Sequence, residues 1–424
     1  GGFGSKIFHY DGEEAVVAAA KKVGRPVKWT AERSESLLTE AHGRDHVSHG
    51  ELAMDKDGNF LALRVATIAN MGAFDSCAAP SVPTYLYATL CAGQYKTPAI
   101  YAEVNSVFTC HPPWSAYRGA GHPEATFLLE RLMDLVAAEV GMDPAEVRIP
   151  KFVPSEWFPY TTLPSADLDS GDYEGVLNTA LEHVNYDQLR HDQAHGGERG
   201  RLTGIGIVSF TEICGLGPNK SCDIFGARGG LWESATVRFY ATGKVNVFIG
   251  TSPHGQGEET TFAQIMSEEL GVPVDDVEVI HGDTDTTPMG WGTYGSRTTV
   301  VGGGALALSA RKIKDKAITL AAHLLEAAEA DIEYEDGNFF VRGADNGKSI
   351  HEIVLMAYVA WKYPIEGMEP GLEDTTFYDP PNFSFPFGAH VAVVNVDPDN
   401  GHIVLERYVA VDDCGPQINP MIVE

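Results

Sequence analysis

The sequence is short of basic residues, of patterned cysteines and of long apolar runs. Its 30 lysines and arginines face 59 aspartates and glutamates, for a formal net charge of −29. That imbalance argues against a nucleic-acid backbone or an anionic membrane surface as the main partner and fits a solvated acidic surface. Six cysteines, Cys77, Cys91, Cys110, Cys214, Cys222 and Cys414, include no C-x-x-C pair and match neither a zinc site nor a disulfide framework. They read as small buried hydrophobes in a reducing compartment. No apolar run approaches the roughly 18 residues that span a bilayer. No signal peptide is visible, which carries no information because the first residues already lie inside a glycine-rich motif.

What is abundant is glycine, 45 of 424 residues, in a chain with 44% hydrophobic and 21% charged residues. This balance suits a sizeable core and two or three domains. Residues 1–152 read as one block: a short helix over 13–23, β-type stretches at 46–54 and 60–70 joined by Asp55-Lys56-Asp57-Gly58, then a helix from Pro123 to Val140. The apolar residues Phe127, Leu128, Met133, Leu135 and Val136 predict that this last helix is largely buried. Residues 153–202, rich in Pro, Asp and His, read as a connection with local helices. The block 203–424 alternates strand patterns (205–211, 235–240, 244–249, 332–341, 390–397, 403–412) with helices at 258–270 and 303–330. Strands and helices intermingle without strict β-α-β repetition, which makes the fold class α+β.

Four segments place Gly, Ser or Thr just ahead of a helix: Gly1–Lys6, Arg118–His122, His254–Gly257 and Gly295–Thr299. The free N–H groups of a first helical turn and its positive dipole end favour phosphate, and glycine lets backbone approach a ligand. One such loop is an ordinary helix cap; four point to a large anionic cofactor. Single-motif nucleotide folds do not fit, because Ile7 follows Lys6 where a P-loop needs Ser or Thr. No G-x-G-x-x-G follows a strand in the required context either. Each candidate also has a plainer role. Arg118 could pair with Glu124 or Glu130, Phe3 could be core, Gln256 could cap a helix and His254 could be a satisfied histidine. Asp283 and Asp285 read as turn residues in preference to metal ligands.

The motifs carry a specific resemblance. Gly1-Gly2-Phe3-Gly4-Ser5-Lys6 and Ala116-Tyr117-Arg118-Gly119-Ala120-Gly121-His122-Pro123-Glu124-Ala125 are similar to two segments of molybdenum hydroxylase large subunits. So are His254-Gly255-Gln256-Gly257 followed by Thr260, Thr261, Ala263 and Gln264, then Gly292–Thr298, then Asp413–Gly415 through Asn419-Pro420. They stand in family order along the whole chain, which thus resembles the large subunit of the xanthine oxidase and aerobic carbon monoxide dehydrogenase family. The resemblance implies two molybdenum-cofactor-binding domains, both incomplete.

It further implies a molybdenum–pterin cofactor, in its molybdopterin cytosine dinucleotide form. Gly2, Phe3 and Gly4 would sit over the metal, and Arg118 would stabilise negative charge there. Gly255, Gln256, Gly257 and Thr260 would meet the pterin, Ser296, Arg297 and Thr298 the dinucleotide, with forked phosphate contacts from Arg297. Phe3, Tyr117 and Gly119 would line the substrate pocket, and no protein side chain would bind the metal. The family oxidises a small-molecule substrate with oxygen from water and passes electrons to a small iron–sulfur subunit ([2Fe-2S]) and a medium FAD subunit. A dimer of such three-subunit units in the cytoplasm, free or docked on the inner membrane face, is the implied assembly. Two departures matter. The family's catalytic glutamate lies beyond residue 424, so Glu424 is not that base and this stretch alone is expected to be inactive. Copper-containing carbon monoxide dehydrogenases read A-Y-R-C-S-F-R, whereas this chain has Gly119 and matches the second, A-Y-R-G-A-G-R type, with His122 for the last Arg. Carbon monoxide is therefore the first expected substrate, with an aldehyde or an N-heterocycle (purine- or nicotinate-like) as the alternative. A non-catalytic cofactor-binding subunit of a split enzyme is the reading from another class.

Overall fold

The computed structural model describes residues 2–56, 58–76, 79–162, 166–195, 202–222, 229–344, 346–359 and 367–424. Contacts divide it into two compact units, residues 1–213 with 384–415, and 214–383 with 416–424. The sequence reading assigned 203–213 and 384–415 to the second block. The strand Phe387–Val396 instead lies between Leu202–Thr211 and Ile403–Asp413, antiparallel to both, and this sheet belongs to the first unit.

The other sheet of the first unit runs His46–Met54, Phe60–Gly72, Ile100–Phe108, with an antiparallel and then a parallel pair. Asp55 closes the expected turn, accepting from Asn59 N at 2.8 Å through its carboxylate; Asp57 lies outside the described residues. The connecting stretch supplies the helices Tyr173–Val184 and Tyr186–Ala194. The helix His122–Val140 is one-sided, contrary to expectation: Ala125, Leu129, Met133, Val136 and Ala137 form its buried stripe. Phe127 and Leu135 are 72% and 56% exposed. The sequence spacing explains this, since positions 125, 129, 133 and 136 share a face that 127 and 135 do not.

In the second unit the strands run Glu373–Tyr378, Glu233–Phe239, Val245–Ile249, Val277–Ile280, the last pair parallel. The helix Gly303–Leu324, shorter than the expected 303–330, buries Leu306, Ala310, Ile313, Ala317 and Leu320. These join Val237, Phe239, Val247, Ile249, Phe262 and Met266 in one core, where a fully buried Phe contributes about 1.5–3 kcal/mol. The expected single strand 332–341 is a hairpin, Ile332–Glu335 and Asn338–Val341, because Asp336 and Gly337 both adopt positive φ and turn the chain.

Gly271 ends the helix Glu258–Leu270 at φ 57°, and a Cβ there would lie 1.9 Å from Gly337 N. The nearest atoms, Gly337 N and Cα and Asp336 C, are all backbone and cannot swing away. Gly271→Ala is expected to cost about 1–3 kcal/mol, read as a lower thermal midpoint; an unchanged midpoint would mean the hairpin shifts freely.

Among the described residues no helix is long and apolar enough to cross a membrane, and no group of three or more His, Cys, Asp or Glu could hold a metal ion.

Candidate cofactor site

In the first unit the segments Gly2–Gly4 and Tyr117–Gly121 meet. Arg118 N donates to Phe3 O at 2.7 Å. Gly4, at φ 125°, runs so close to the second segment that a Cβ would lie 2.5 Å from Ala116 O. Gly119, Ala120 and Gly121 take φ 97°, 43° and 93° in succession, a left-handed run that only glycine-rich sequence adopts readily. This turn delivers the chain into the first turn of His122–Val140 with Pro123 at its start.

The side chains make a half-open aromatic and cationic cluster. The Phe3 and Tyr117 rings lie 6.4 Å apart, and the Arg118 guanidinium carbon lies 6.0 Å from the Phe3 ring. All three residues are exposed. Arg118 has no carboxylate partner among the described residues; Glu130 is held instead by Arg148 at 2.9 Å. Arg44 was not foreseen. It takes φ 72°, donates through Nη2 to Arg118 O and lies 4.9 Å from the Tyr117 ring. Its sequence setting, Gly43-Arg44-Asp45, carries no motif that would have marked it. His122 points inward, with Nδ1 2.9 Å from Glu212 Oε2 and Nε2 3.2 Å from Thr126 Oγ1.

In the second unit the loop His254–Gly257 feeds the 13-residue helix Glu258–Leu270, with Gly257 as N-cap at φ 87°. Gln256 folds back to accept from His254 N and does not cap the helix, whose N-cap position contributes no side-chain cap. His254, Gly255, Gln256 and Thr260 are exposed. Asn419 Nδ2 donates to Gln264 Oε1 at 2.9 Å, bringing two of the sequence motifs together. Burial raises the Glu258 carboxyl above its ordinary range. Glu259 goes the other way, lowered by its hydrogen bonds to backbone N–H and to His281. The Asp283 loop is a hydrogen-bonded turn, with Asp283 O accepting from Thr287 N at 2.8 Å and Asp283 Oδ1 from Asp285 N at 3.0 Å.

The segment Gly292–Thr298 joins the same end of this unit. Thr293 Oγ1 accepts from Ser252 N at 3.0 Å and lies 2.9 Å from Thr298 Oγ1. Ser296 is exposed at φ 50°. Arg297 corrects the sequence reading. It is wholly buried and ion-paired to Glu233 at 2.7 Å, with its other donors on backbone carbonyls, so its side chain makes no forked phosphate contact. Thr298, 5% exposed, has its hydroxyl engaged by Thr293. Glu233 was likewise invisible to spacing, since its partner lies 64 positions on.

Taken unit by unit, the residues fit an anionic pterin-type group. Open glycine backbone is available at Gly255 and Gly292, where an added Cβ meets nothing within 4 Å. Helix N-termini stand behind the loops, and Arg118 supplies an uncommitted cation.

Two models of the molybdopterin cofactor-binding domain match the chain, over residues 1–152 and 179–424. The fold and its loops are thus those of a molybdenum-cofactor protein. The carbon monoxide dehydrogenase large chain of Hydrogenophaga pseudoflava is 44% identical over 433 residues, covering 100% of this chain and 53% of that one. A crystal structure of Cu,Mo-CO dehydrogenase in its carbon monoxide-reduced state superposes with TM-score 0.95 at 40% identity, over 100% of this chain and 54% of that one. Quinoline 2-oxidoreductase from Pseudomonas putida 86 gives TM-score 0.94 at 36% identity, again over 100% and 54%. The chain spans about half the length of these relatives. It belongs to the carbon monoxide dehydrogenase and xanthine oxidase family of molybdopterin cofactor-binding large subunits.

Proposed function

We propose that this chain supplies cofactor-binding domains to a carbon monoxide dehydrogenase-like molybdenum hydroxylase. The observation that carries the reading is the meeting of Gly2-Phe3-Gly4 with Tyr117-Arg118-Gly119 beside an uncommitted guanidinium. The bound molybdenum–pterin group, in its cytosine dinucleotide form, supplies two-electron oxidation with oxygen drawn from water. Arg118 stabilises negative charge that develops beside it. The backbone of Gly2, Phe3 and Gly4 orients the metal end. Gly255, Gln256, Gly257 and Thr260 meet the pterin. Ser296 and the backbone of Arg297 and Thr298 meet the dinucleotide. Electrons pass to iron–sulfur and FAD subunits within a dimer of three-subunit units in the cytoplasm, free or at the inner membrane face.

One observation favours a second substrate class. At Gly119 a Cβ would lie 2.5 Å from the Pro123 ring, on backbone at φ 97°. A cysteine there would be strained and crowded, so this loop is not built to present a copper-binding thiolate. The exposed Phe3 and Tyr117 side chains suit a planar heterocycle or an aldehyde.

Carbon monoxide-dependent dye reduction by the native full-length complex, with aldehydes and N-heterocycles in parallel and metals measured on the same sample, separates these. Turnover of carbon monoxide with molybdenum and no copper is the expected result. Oxidation of a heterocycle or aldehyde alone moves the assignment to the second class. Bound molybdenum with no activity towards any of these substrates leaves a non-catalytic cofactor-binding subunit.

A further inference from the structure

Glu233 opens a strand of the second unit, and both it and Arg297 are 0% exposed. Their contact, Arg297 Nη1 to Glu233 Oε2, is 2.7 Å. The other Arg297 donors reach Leu216 O at 2.8 Å, Gly292 O at 2.7 Å, Trp232 O at 3.1 Å and Leu231 O. Five N–H groups therefore meet five acceptors, and none is left for a ligand.

The carboxylate gathers a second set of contacts. Glu233 Oε1 accepts from Ser234 N at 3.1 Å and Oε2 from Trp291 N at 3.2 Å. A Cβ would come within 1.9 Å of Oε1 at Gly290 and 2.4 Å at Gly250, and the latter would also meet Gly290 Cα at 2.5 Å. Backbone at 250 and at 290 is thus drawn against one buried carboxylate. Two residues on, Ser252 N donates to Thr293 Oγ1 at 3.0 Å. The strand end that leads into His254–Gly257 and the segment Gly292–Thr298 share this anchor.

A buried ion pair seldom stabilises a fold more than a well-packed apolar pair of the same size does. What it adds is direction: a guanidinium fork fixes several carbonyls at set angles, which methylenes cannot do. We propose that Glu233 is a positioning residue which, through Arg297, holds Gly292–Thr298 in register with His254–Gly257. Ser296 and backbone amides then contact the cofactor's nucleotide, while Arg297 itself does not. This rests on the molybdenum-cofactor reading.

The test uses the full-length complex with Glu233→Gln, Arg297→Lys and the double variant Glu233→Met/Arg297→Met. Three quantities are read: thermal midpoint, molybdenum and acid-released nucleotide retained through gel filtration, and hydrogen exchange of amides 291–298. Glu233→Gln is expected to release molybdenum and nucleotide at least tenfold faster. The double variant should recover the thermal midpoint but keep the fast release and fast exchange. Recovery of midpoint and retention together would overturn the proposal, leaving the pair a packing element only. Unchanged retention in Glu233→Gln with loss in Arg297→Lys would also overturn it, by making Arg297 a ligand contact. Should the wild-type complex carry no molybdenum, the cofactor reading fails separately and exchange decides alone. Tenfold faster exchange in Glu233→Gln then supports the positioning role, and unchanged exchange overturns it.

Discussion

Replacing Arg148 by methionine is expected to lower the unfolding free energy by about 3–5 kcal/mol, the usual cost of stripping one partner from a buried ion pair. Arg148 is 0% exposed and Glu130 3%. The guanidinium reaches Glu130 Oε2 at 2.9 Å, Asp134 Oδ1 at 2.9 Å, Pro144 O at 2.7 Å and Ile207 O at 3.2 Å. Glu130 in turn accepts from Tyr95 OH at 2.6 Å and Ser209 N at 3.0 Å. Burial first, and then the Glu130 charge, hold the Tyr95 hydroxyl protonated far above its ordinary range. Methionine fills the space of the arginine stem but leaves Glu130 charged, buried and short of its counterion. Glu130→Gln in the same chain should therefore restore much of the loss, which a urea titration of the single and double variants would read. A single-variant loss below about 1 kcal/mol would mean that water reaches Glu130 and replaces the pair.

That network also accounts for why the compact units divide the chain differently from the sequence blocks. Arg148 and Glu130 bond the backbone of Ile207 and Ser209, and Gln94 Nε2 donates to Ser209 O at 2.8 Å. The strand Leu202–Thr211 is thereby fixed to the first unit, and Phe387–Val396 follows by pairing with it. None of these partners is near in sequence, and strand periodicity says which residues face inward without saying which strand lies alongside. The cofactor loops were legible for the opposite reason. A left-handed turn ahead of a helix demands glycine locally, so Gly119, Gly121 and Gly257 declare themselves. Arginine has no such local signature. Arg118, Arg148 and Arg297 look alike in sequence, yet one is exposed and uncommitted and two are buried latches. What separates them is the carboxylate that arrives from elsewhere in the chain: Glu130 for Arg148, Glu233 for Arg297 and, among the described residues, none for Arg118.

On the proposed reading, Arg118→Ala in the assembled enzyme should lower kcat by about 10²–10³-fold, as loss of one preorganised donor to developing charge does. Its guanidinium is not needed to hold the loop. The loop is fixed by backbone contacts, Arg118 N to Phe3 O at 2.7 Å and Ala120 N to Tyr117 O at 2.7 Å, which alanine keeps. Molybdenum content should therefore stay near that of the wild type, and kcat and kcat/KM should fall together, the pattern of an interaction made only in the transition state. Arg118→Lys keeps a charge without the fork and should recover part of the rate. Arg44→Ala gives the contrast. It removes the donor to Arg118 O and the cation over Tyr117, so it should loosen the loop and cost turnover together with cofactor retention. Steady-state kinetics normalised to molybdenum distinguish the two. A fall in molybdenum large enough to account for the whole rate loss in Arg118→Ala would move that residue from charge stabilisation to cofactor binding. A rise in KM at constant kcat would instead make it a contact to the substrate's ground state.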